Sequence, residues 1–95
     1  MRYRTPNEIY ASILIAAGSG KRMTLNKLVF YCYIPHSTAI KSTATLVQSG
    51  LLEFDRLDRV FRTTDKGFKY LQIHNEMSEI FEVKEEPLRQ IALTF

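Results

Sequence analysis

The segment between His36 and Gly50 carries many polar side chains but no acidic residue. Its polar positions are small hydroxyl groups, one lysine and one glutamine. An ordinary solvent-exposed surface mixes charges of both signs. Hydroxyl groups hydrogen-bond to phosphates and to base edges, and a lysine pairs with a phosphate or with guanine. The segment therefore indicates a surface that faces a polyanion.

Basic residues flank this segment on both sides, with three arginines after it and three lysines or arginines shortly before it. Such side chains contact the phosphate backbone, and on a protruding turn they also reach the minor groove. These basic residues are Lys21, Arg22 and Lys27 before the segment and Arg56, Arg59 and Arg62 after it.

The distribution of charge agrees with this interpretation better than its sum does. The 95 residues carry a formal net charge of only +3. Residues 1–63 contain nine basic and four acidic residues, a net charge of +5, whereas residues 64–95 contain four basic and six acidic residues, a net charge of −2. A basic body with an acidic end predicts a polyanion-binding surface and a separate segment with another role.

Other kinds of site are not supported by the residue spacing. The run 18–21 resembles part of a phosphate-binding loop, but Ile15 stands where the first glycine belongs and Arg22 where a Ser or Thr belongs. Cys32 and His36 are four residues apart without further ligands nearby, so no metal site is predicted.

The same holds for catalysis and for the membrane. His74 is more typical of a packed or interfacial histidine than of a catalyst, and no nucleophile–base pair or carboxylate pair stands out. We therefore predict a protein that is not an enzyme, with no cofactor and no small-molecule ligand. The single cysteine excludes an intrachain disulfide. Without a signal peptide or an apolar run of about 18 residues, we expect a cytoplasmic, nucleoid-associated protein with no membrane partner.

The first part of the chain predicts two helices and a short extended piece. The first helix spans Asn7–Ala17, because Pro6 suits a first turn and glycines follow the helix. Lys21–Met23 is predicted as a short, isolated strand. The second helix runs from Leu25 to about Tyr33, with Thr24 as its N-cap, since its apolar positions repeat every three or four residues.

The third helix is predicted over Thr38–Ser49, with Ser37 as its N-cap and Gly50 after its end. Its inward stripe is predicted to be Ala39, Thr43, Leu46 and Val47, which leaves the remaining hydroxyl groups outside.

A hairpin and a last helix follow. Two short strands within 51–63 enclose a charged turn at 55–59. The last helix is capped by Thr64 and is expected to end near Phe81 or Val83, because Pro87 cannot continue a hydrogen-bonded helix.

This order predicts a mainly α protein with a small β-hairpin (α+β): helix, short strand, helix, helix, strand, strand, helix. The second and third helices, joined by a short turn, form a helix-turn-helix candidate, and the hairpin occupies the position of a wing. A major groove of about 12 Å accepts a helix. We therefore expect the helix Thr38–Ser49 to enter the major groove of double-stranded DNA, and the 55–59 turn to lie on the backbone or in the minor groove.

Two pieces of sequence resemble winged helix-turn-helix transcription regulators. Ile34–Ala39 with Leu46–Leu52 looks like their recognition helix and the following strand, and Phe61–Phe68 resembles the Thr-x-Lys-Gly entry to their last helix. The chain resembles archaeal winged-helix DNA-binding proteins of about ten kilodaltons, over roughly Glu8 to Phe81. The resemblance implies a C-terminal helix that pairs antiparallel with a second subunit. It also implies that the residues contacting DNA are His36, Ser37, Thr38, Lys41, Ser42, Thr45, Arg56, Arg59, Arg62, Lys21, Arg22 and Lys27.

We therefore expect a single domain with a DNA-binding unit (1–63), a C-terminal dimerisation helix (64–86) and a tail without assigned structure (87–95). The last helix carries more apolar residues than a small core needs, which also favours a homodimer. The residues predicted for its interface are Phe68, Leu71, His74, Met77, Ile80 and Phe81.

Three functions stay open at this point. The chain is a transcriptional regulator, a winged-helix module that binds another protein, or an architectural protein that coats DNA without sequence preference. A module would use the stripe 68–81 or the tail 88–95 for its partner. Salt-dependent duplex binding distinguishes it from the other two, and an architectural protein would bind specific and random DNA almost equally.

Overall fold

Helices dominate the chain, and two short strands follow the third of them. The computed structural model describes the backbone of residues 5–94 and the side chains of residues 5–80. The elements are α1 (Pro6–Ala17), α2 (Leu25–Cys32), α3 (His36–Gln48), β1 (Leu52–Asp55), β2 (Val60–Thr63) and α4 (Asp65–Thr94). This confirms the predicted fold class, mainly α with a small antiparallel hairpin.

The first helix forms where its capping residues predict. Thr5 accepts a hydrogen bond from the N–H of Glu8 at 3.2 Å, and Pro6 occupies the first turn. The inner face of α1 buries Ala11, Ile13, Leu14 and Ala17, which recur at helical spacing.

The prediction of a short strand at Lys21–Met23 is wrong. These residues are not part of the sheet, although the N–H of Phe61 donates to the carbonyl of Met23 at 2.7 Å. Met23 is buried. One backbone bond and one buried side chain thus tie this segment to the hairpin, but a strand needs a longer ladder of bonds.

The turn between α2 and α3 is tight because Tyr33 adopts a left-handed conformation, with φ of 54°. The N–H of Ile34 then donates back to the carbonyl of Val29, and the side chain of Ile34 is buried. This geometry ends α2 in the manner usually served by glycine.

The third helix begins at His36, two residues before the predicted start, and Ser37 is not its N-cap. Pro35 occupies that position without a side-chain hydrogen bond, and its carbonyl accepts the N–H of Ala39 at 3.0 Å. The end agrees with the prediction. Gly50 has a φ of 77°, and the N–H of Leu51 donates to the carbonyl of Leu46, as in a Schellman motif.

The core joins the three N-terminal helices to the hairpin. The largest fully buried side chains come from α1, α2, α3 and β1, and they are Ile13, Leu14, Leu28, Leu46 and Leu52. Burying each such side chain stabilises the fold by about 1.5–3 kcal/mol. These contacts fix the angle at which α3 presents its outer face.

The hairpin is in the register Leu52 opposite Thr63 and Phe54 opposite Phe61. The Phe54 and Phe61 rings lie 4.8 Å apart between centroids. The buried Thr63 hydroxyl donates to the carbonyl of Leu14 at 2.6 Å. The base of the hairpin is therefore anchored to α1, and its far end projects.

The last helix is longer than predicted. It was expected to end near Phe81 or Val83, but α4 continues through Pro87 to Thr94. Proline lacks the N–H that would bond one turn back, yet its fixed φ of about −65° is itself helical. A helix is thus compatible with one proline when the residues on both sides keep helical geometry.

Candidate nucleic-acid interface

The outer face of α3 exposes most of the polar residues predicted to contact DNA. His36, Ser37, Lys41 and Thr45 are exposed, and Thr38 is half-buried. The same face also exposes Ile40, Ala44, Val47 and Gln48. It therefore combines one cation and several hydrogen-bonding groups with apolar groups, which is the mixture that contacts base edges and thymine methyl groups.

Two assignments of face on α3 were wrong. Ser42, predicted to face a groove, is only 7% exposed. It lies three residues after Ala39 and four before Leu46, both buried, so helical spacing carries it to the inner face. Val47, predicted to be buried, is 38% exposed. In both cases the position of the residue on the helix, and not the polarity of its side chain, determines whether the side chain is buried.

The N-terminal turn of α3 is open to an anion. No side chain caps it, so the first N–H groups lack that usual partner. The helix dipole places partial positive charge there. His36 and Ser37 are exposed in the same turn.

The turn at the far end of the hairpin, residues 56–59, is the wing tip. Asp55 orders it: its Oδ1 accepts the N–H groups of Leu57 at 2.9 Å and Asp58 at 3.2 Å. Its Oδ2 accepts from Arg62 at 3.2 Å. The Asp58 N–H and Arg62, with the Leu57 N–H, hold the pKa of the Asp55 carboxyl below its ordinary value.

The three arginines of the hairpin and Arg22 fall into two groups. Arg62 pairs with Asp55, and Arg22, from the segment before α2, lies 3.6 Å from the Asp58 carboxylate. Arg56 and Arg59 are exposed, and neither forms an ion pair within 4.0 Å in the described part of the chain. The sequence predicted Arg56 and Arg59 as the main wing contacts, with Arg62 beside them if its strand face is exposed and Arg22 as a further phosphate contact. In the described chain only Arg56 and Arg59 are free of an ion pair.

The remaining predicted cations lie near the start of α2. Lys21 and Lys27 are exposed, and the Lys27 ammonium donates to the carbonyl of Arg22 at 3.1 Å. A groove of about 560 Å³ lies beside them, between the first turn of α2 and the hairpin, with Arg59 and Phe54 in its wall. The α2 N-terminus and the hairpin thus flank one concave region, and Arg59 is the one cation among the described residues that line it.

The Thr-x-Lys-Gly piece has a structural role. The Thr64 hydroxyl donates to the carbonyl of Gly50 at 2.6 Å and accepts the N–H of Gly67 at 3.1 Å. The Lys66 ammonium donates to the carbonyl of Ser49 at 2.8 Å. The motif therefore joins the start of α4 to the end of α3, and it contributes no group to the outer face of α3.

The described residues of the predicted dimerisation set do not all share one side of α4. Nine residues separate Phe68 from Met77, which places them on opposite faces of the helix. Phe68, Met77 and Ile80 are about half exposed, and Leu71 and His74 are half-buried. The imidazole of His74 stacks on the ring of Tyr70 with 6.2 Å between centroids. The side chain of Phe81 lies outside the described residues.

Several exposed apolar or aromatic side chains were not predicted from the sequence. Ile73 on α4 is 50% exposed, and Phe30, Tyr31 and Tyr33 at the end of α2 are more than half exposed. The three aromatic residues lie in the most apolar run of the chain, and the packing of α2 against α1 and α3 leaves them outside the core. The wing tip adds Leu57, which is 95% exposed.

Two negative findings concern the described residues only. No three of their His, Cys, Asp and Glu side chains lie together in a group that could bind a metal ion. None of their helices combines the length and the apolar composition needed to cross a bilayer.

Comparison with known proteins identifies the fold. No protein-family model and no curated protein matches the chain. The structure of a multiple antibiotic-resistance repressor, MarR, from Listeria monocytogenes superposes with a TM-score of 0.61 at 18% identity, over 87% of this chain and 68% of that one. The M. tuberculosis transcriptional regulator MosR gives a TM-score of 0.58 at 16% identity, over 97% of this chain and 78% of that one. At this identity the likeness shows a shared winged-helix fold.

Proposed function

We propose that this protein is a transcriptional regulator that binds double-stranded DNA and has no enzymatic activity. The observation that carries the proposal is the acid-free outer face of α3 beside a wing tip with two uncompensated arginines. The two solved structures compared above, with the same fold, are a multiple antibiotic-resistance repressor and a transcriptional regulator. The winged-helix fold alone also serves protein contacts, so the charge pattern of this chain decides between them.

The proposed docking puts α3 in the major groove. A helix with its side chains is about 10–12 Å across, close to the groove's width of about 12 Å. Lys41 then reaches guanine or a phosphate, and Ser37, Thr38 and Thr45 bond to phosphates or base edges. The uncapped first turn of α3, with His36, receives a phosphate.

The wing supplies the second contact. Arg56 and Arg59 reach the backbone or the minor groove, and Lys21 and Lys27 add phosphate contacts from the start of α2. Arg22 and Arg62 contribute less, because each must first leave or share an aspartate. About five phosphate contacts give a slope of log affinity against log salt of about −4.5.

The proposal extends to the oligomeric state of the protein and its location in the cell. We propose a homodimer through α4, since one helix-turn-helix contacts too little DNA for high selectivity and palindromic half-sites need two units. The half-exposed side chains of Ile73, Met77 and Ile80, which helical spacing places on one side of α4, support this. A monomeric mass by light scattering at tens of micromolar would contradict it. A cytoplasmic, nucleoid-associated location and the archaeal resemblance belong to the same proposal.

The second candidate function is binding of another protein. The exposed aromatic side chains of Phe30, Tyr31 and Tyr33 favour it, because aromatic residues are enriched in interfaces between proteins. A stable partner in a pull-down, together with absence of duplex binding, would support this candidate over the first.

The decisive experiment measures duplex binding by fluorescence anisotropy across a salt series, with DNA selected from random sequences. Lys41→Ala is expected to weaken binding and to reduce the magnitude of the salt slope by about 0.9, as one phosphate contact is lost. Lys69→Ala is the matched control, since it removes an equal charge from α4. Equal effects of the two variants, or no binding by the wild type, would refute the proposal. A selection that yields no preferred sequence would identify an architectural protein instead.

A further inference from the structure

The tip of the wing presents an unusual combination of an apolar side chain and a fixed backbone. Leu57 is 95% exposed, more than any other large apolar side chain of the described residues. A single exposed leucine is common and by itself means little. What surrounds this leucine makes it informative.

The backbone of Leu57 is held from both sides. Asp55 accepts its N–H and that of Asp58, and Arg62 holds the same carboxylate. From the other side, Arg22 contacts both the carbonyl and the carboxylate of Asp58. The turn is therefore ordered before any partner binds. As a result, little conformational entropy of the turn is lost when Leu57 inserts into a partner.

The charges around Leu57 select the kind of partner. Arg56 precedes it, Arg59 follows two residues later, and neither is compensated by an acid within the described chain. Asp58, the one acid of the tip, is matched by Arg22. The tip thus directs an apolar group toward an anionic surface. Double-stranded DNA offers such a surface together with an apolar slot, namely the stacked base pairs seen from the minor groove.

We propose that Leu57 is a wedge that enters the minor groove between base pairs and bends the duplex. The proposal rests on the proposed function, and it names the residue that gives the wing its preference among sequences. Insertion partly unstacks a base step, and pyrimidine–purine steps such as TA unstack most easily, whereas A-tracts resist. The wing therefore prefers DNA with a flexible step at its position.

The test uses two end-labelled duplexes of about 30 base pairs. One has a TA step at its centre and the other an A-tract, with otherwise matched sequence. Wild-type protein is expected to bind the TA duplex more tightly and to increase energy transfer between its ends. Leu57→Ala is expected to bind that duplex about tenfold more weakly, since burial of a leucine side chain is worth at least this factor. It should also abolish the added energy transfer.

Two further variants isolate the wedge from charge and from folding. Leu57→Met retains an apolar side chain of similar size and should keep both preference and bending. Arg59→Ala should weaken binding to both duplexes alike and leave the preference. Because Leu57 is exposed, Leu57→Ala should unfold thermally at the wild-type temperature.

The outcomes separate the two proposals. Retention of preference and bending by Leu57→Ala would overturn the wedge. Wild-type binding to both duplexes without bending would overturn the wedge and leave the proposed function intact. No binding of the wild type to either duplex, nor to DNA selected from random sequences, would overturn both.

Discussion

Gly67 lies where α4 crosses the start of the hairpin, and its replacement by alanine tests that crossing. A Cβ atom there would lie 2.2 Å from the carbonyl oxygen of Leu51 and 2.6 Å from Cγ2 of Thr63. Carbon–oxygen contacts normally begin near about 3.3 Å, so the helix or the Leu51 segment must move by about 1 Å.

Neither neighbour moves freely. The carbonyl of Leu51 accepts the N–H of Thr64 at 3.1 Å, and the Thr63 hydroxyl donates to the carbonyl of Leu14. Overpacking of this kind costs about 1–3 kcal/mol, and the loss of a hydrogen bond adds about 1 kcal/mol. The higher helix propensity of alanine offsets up to about 1 kcal/mol of this destabilisation. The net destabilisation is about 1–3 kcal/mol, a fall in Tm of about 5–20 °C for a domain of this size.

Thermal unfolding followed by circular dichroism measures this change. Gly20→Ala is the control, because nothing lies within 4 Å of its added Cβ and its φ of 83° leaves only backbone strain, worth about 1–2 kcal/mol. Thr63→Ser removes the Cγ2 contact and keeps the hydroxyl, so Gly67→Ala should cost less in that background. An unchanged Tm for Gly67→Ala would refute the close approach of α4 to Leu51.

Two other predictions concern the wing and the end of α3. The pKa of Asp55 is lowered in the folded protein, so its bonds stabilise the turn above its ordinary value of 3.8 and are lost as the pH falls through the lower folded pKa. Amide exchange at Leu57 and Asp58 should therefore show an added acceleration in acid, which Asp55→Asn should lack; equal profiles would contradict this. Lys66→Met should lower stability by about 0.5 kcal/mol, because the ammonium stabilises the C-terminal carbonyls of α3. Lys69→Met is the matched control in the same unfolding assay. Equal losses of stability for the two variants would show that Lys66 does not stabilise the end of α3.

Residues with a strong local preference were predicted well. Thr24, Thr64 and Gly50 determine helix ends through bonds and conformations within a few residues, so their roles were visible in the sequence. Pro35 was harder, because a proline ends one helix and also precedes the next. Its role as the N-cap of α3 depended on the turn at Tyr33.

Burial on short, polar helices was predicted less well. Ser42 looked like an outward hydroxyl, yet its position between Ala39 and Leu46 buries it. Phe30 and Tyr33 lie in the most apolar run of the chain, yet they are 73% and 90% exposed. Polarity is a weak guide when a helix of two or three turns touches the core along a narrow stripe, because a shift of one residue changes which side chains are inside.

The sequence by itself determined the order of the four helices and the hairpin and the basic character of α3 and the wing, since both follow from local preferences and from charge. Only the tertiary structure decided which cations are uncompensated, because Arg22 and Arg62 pair with aspartates of the hairpin. The tertiary structure likewise fixed the turn that presents Leu57, through one carboxylate with three donors. Ion pairs and packing join residues distant in the chain, and residue order alone does not specify those distances.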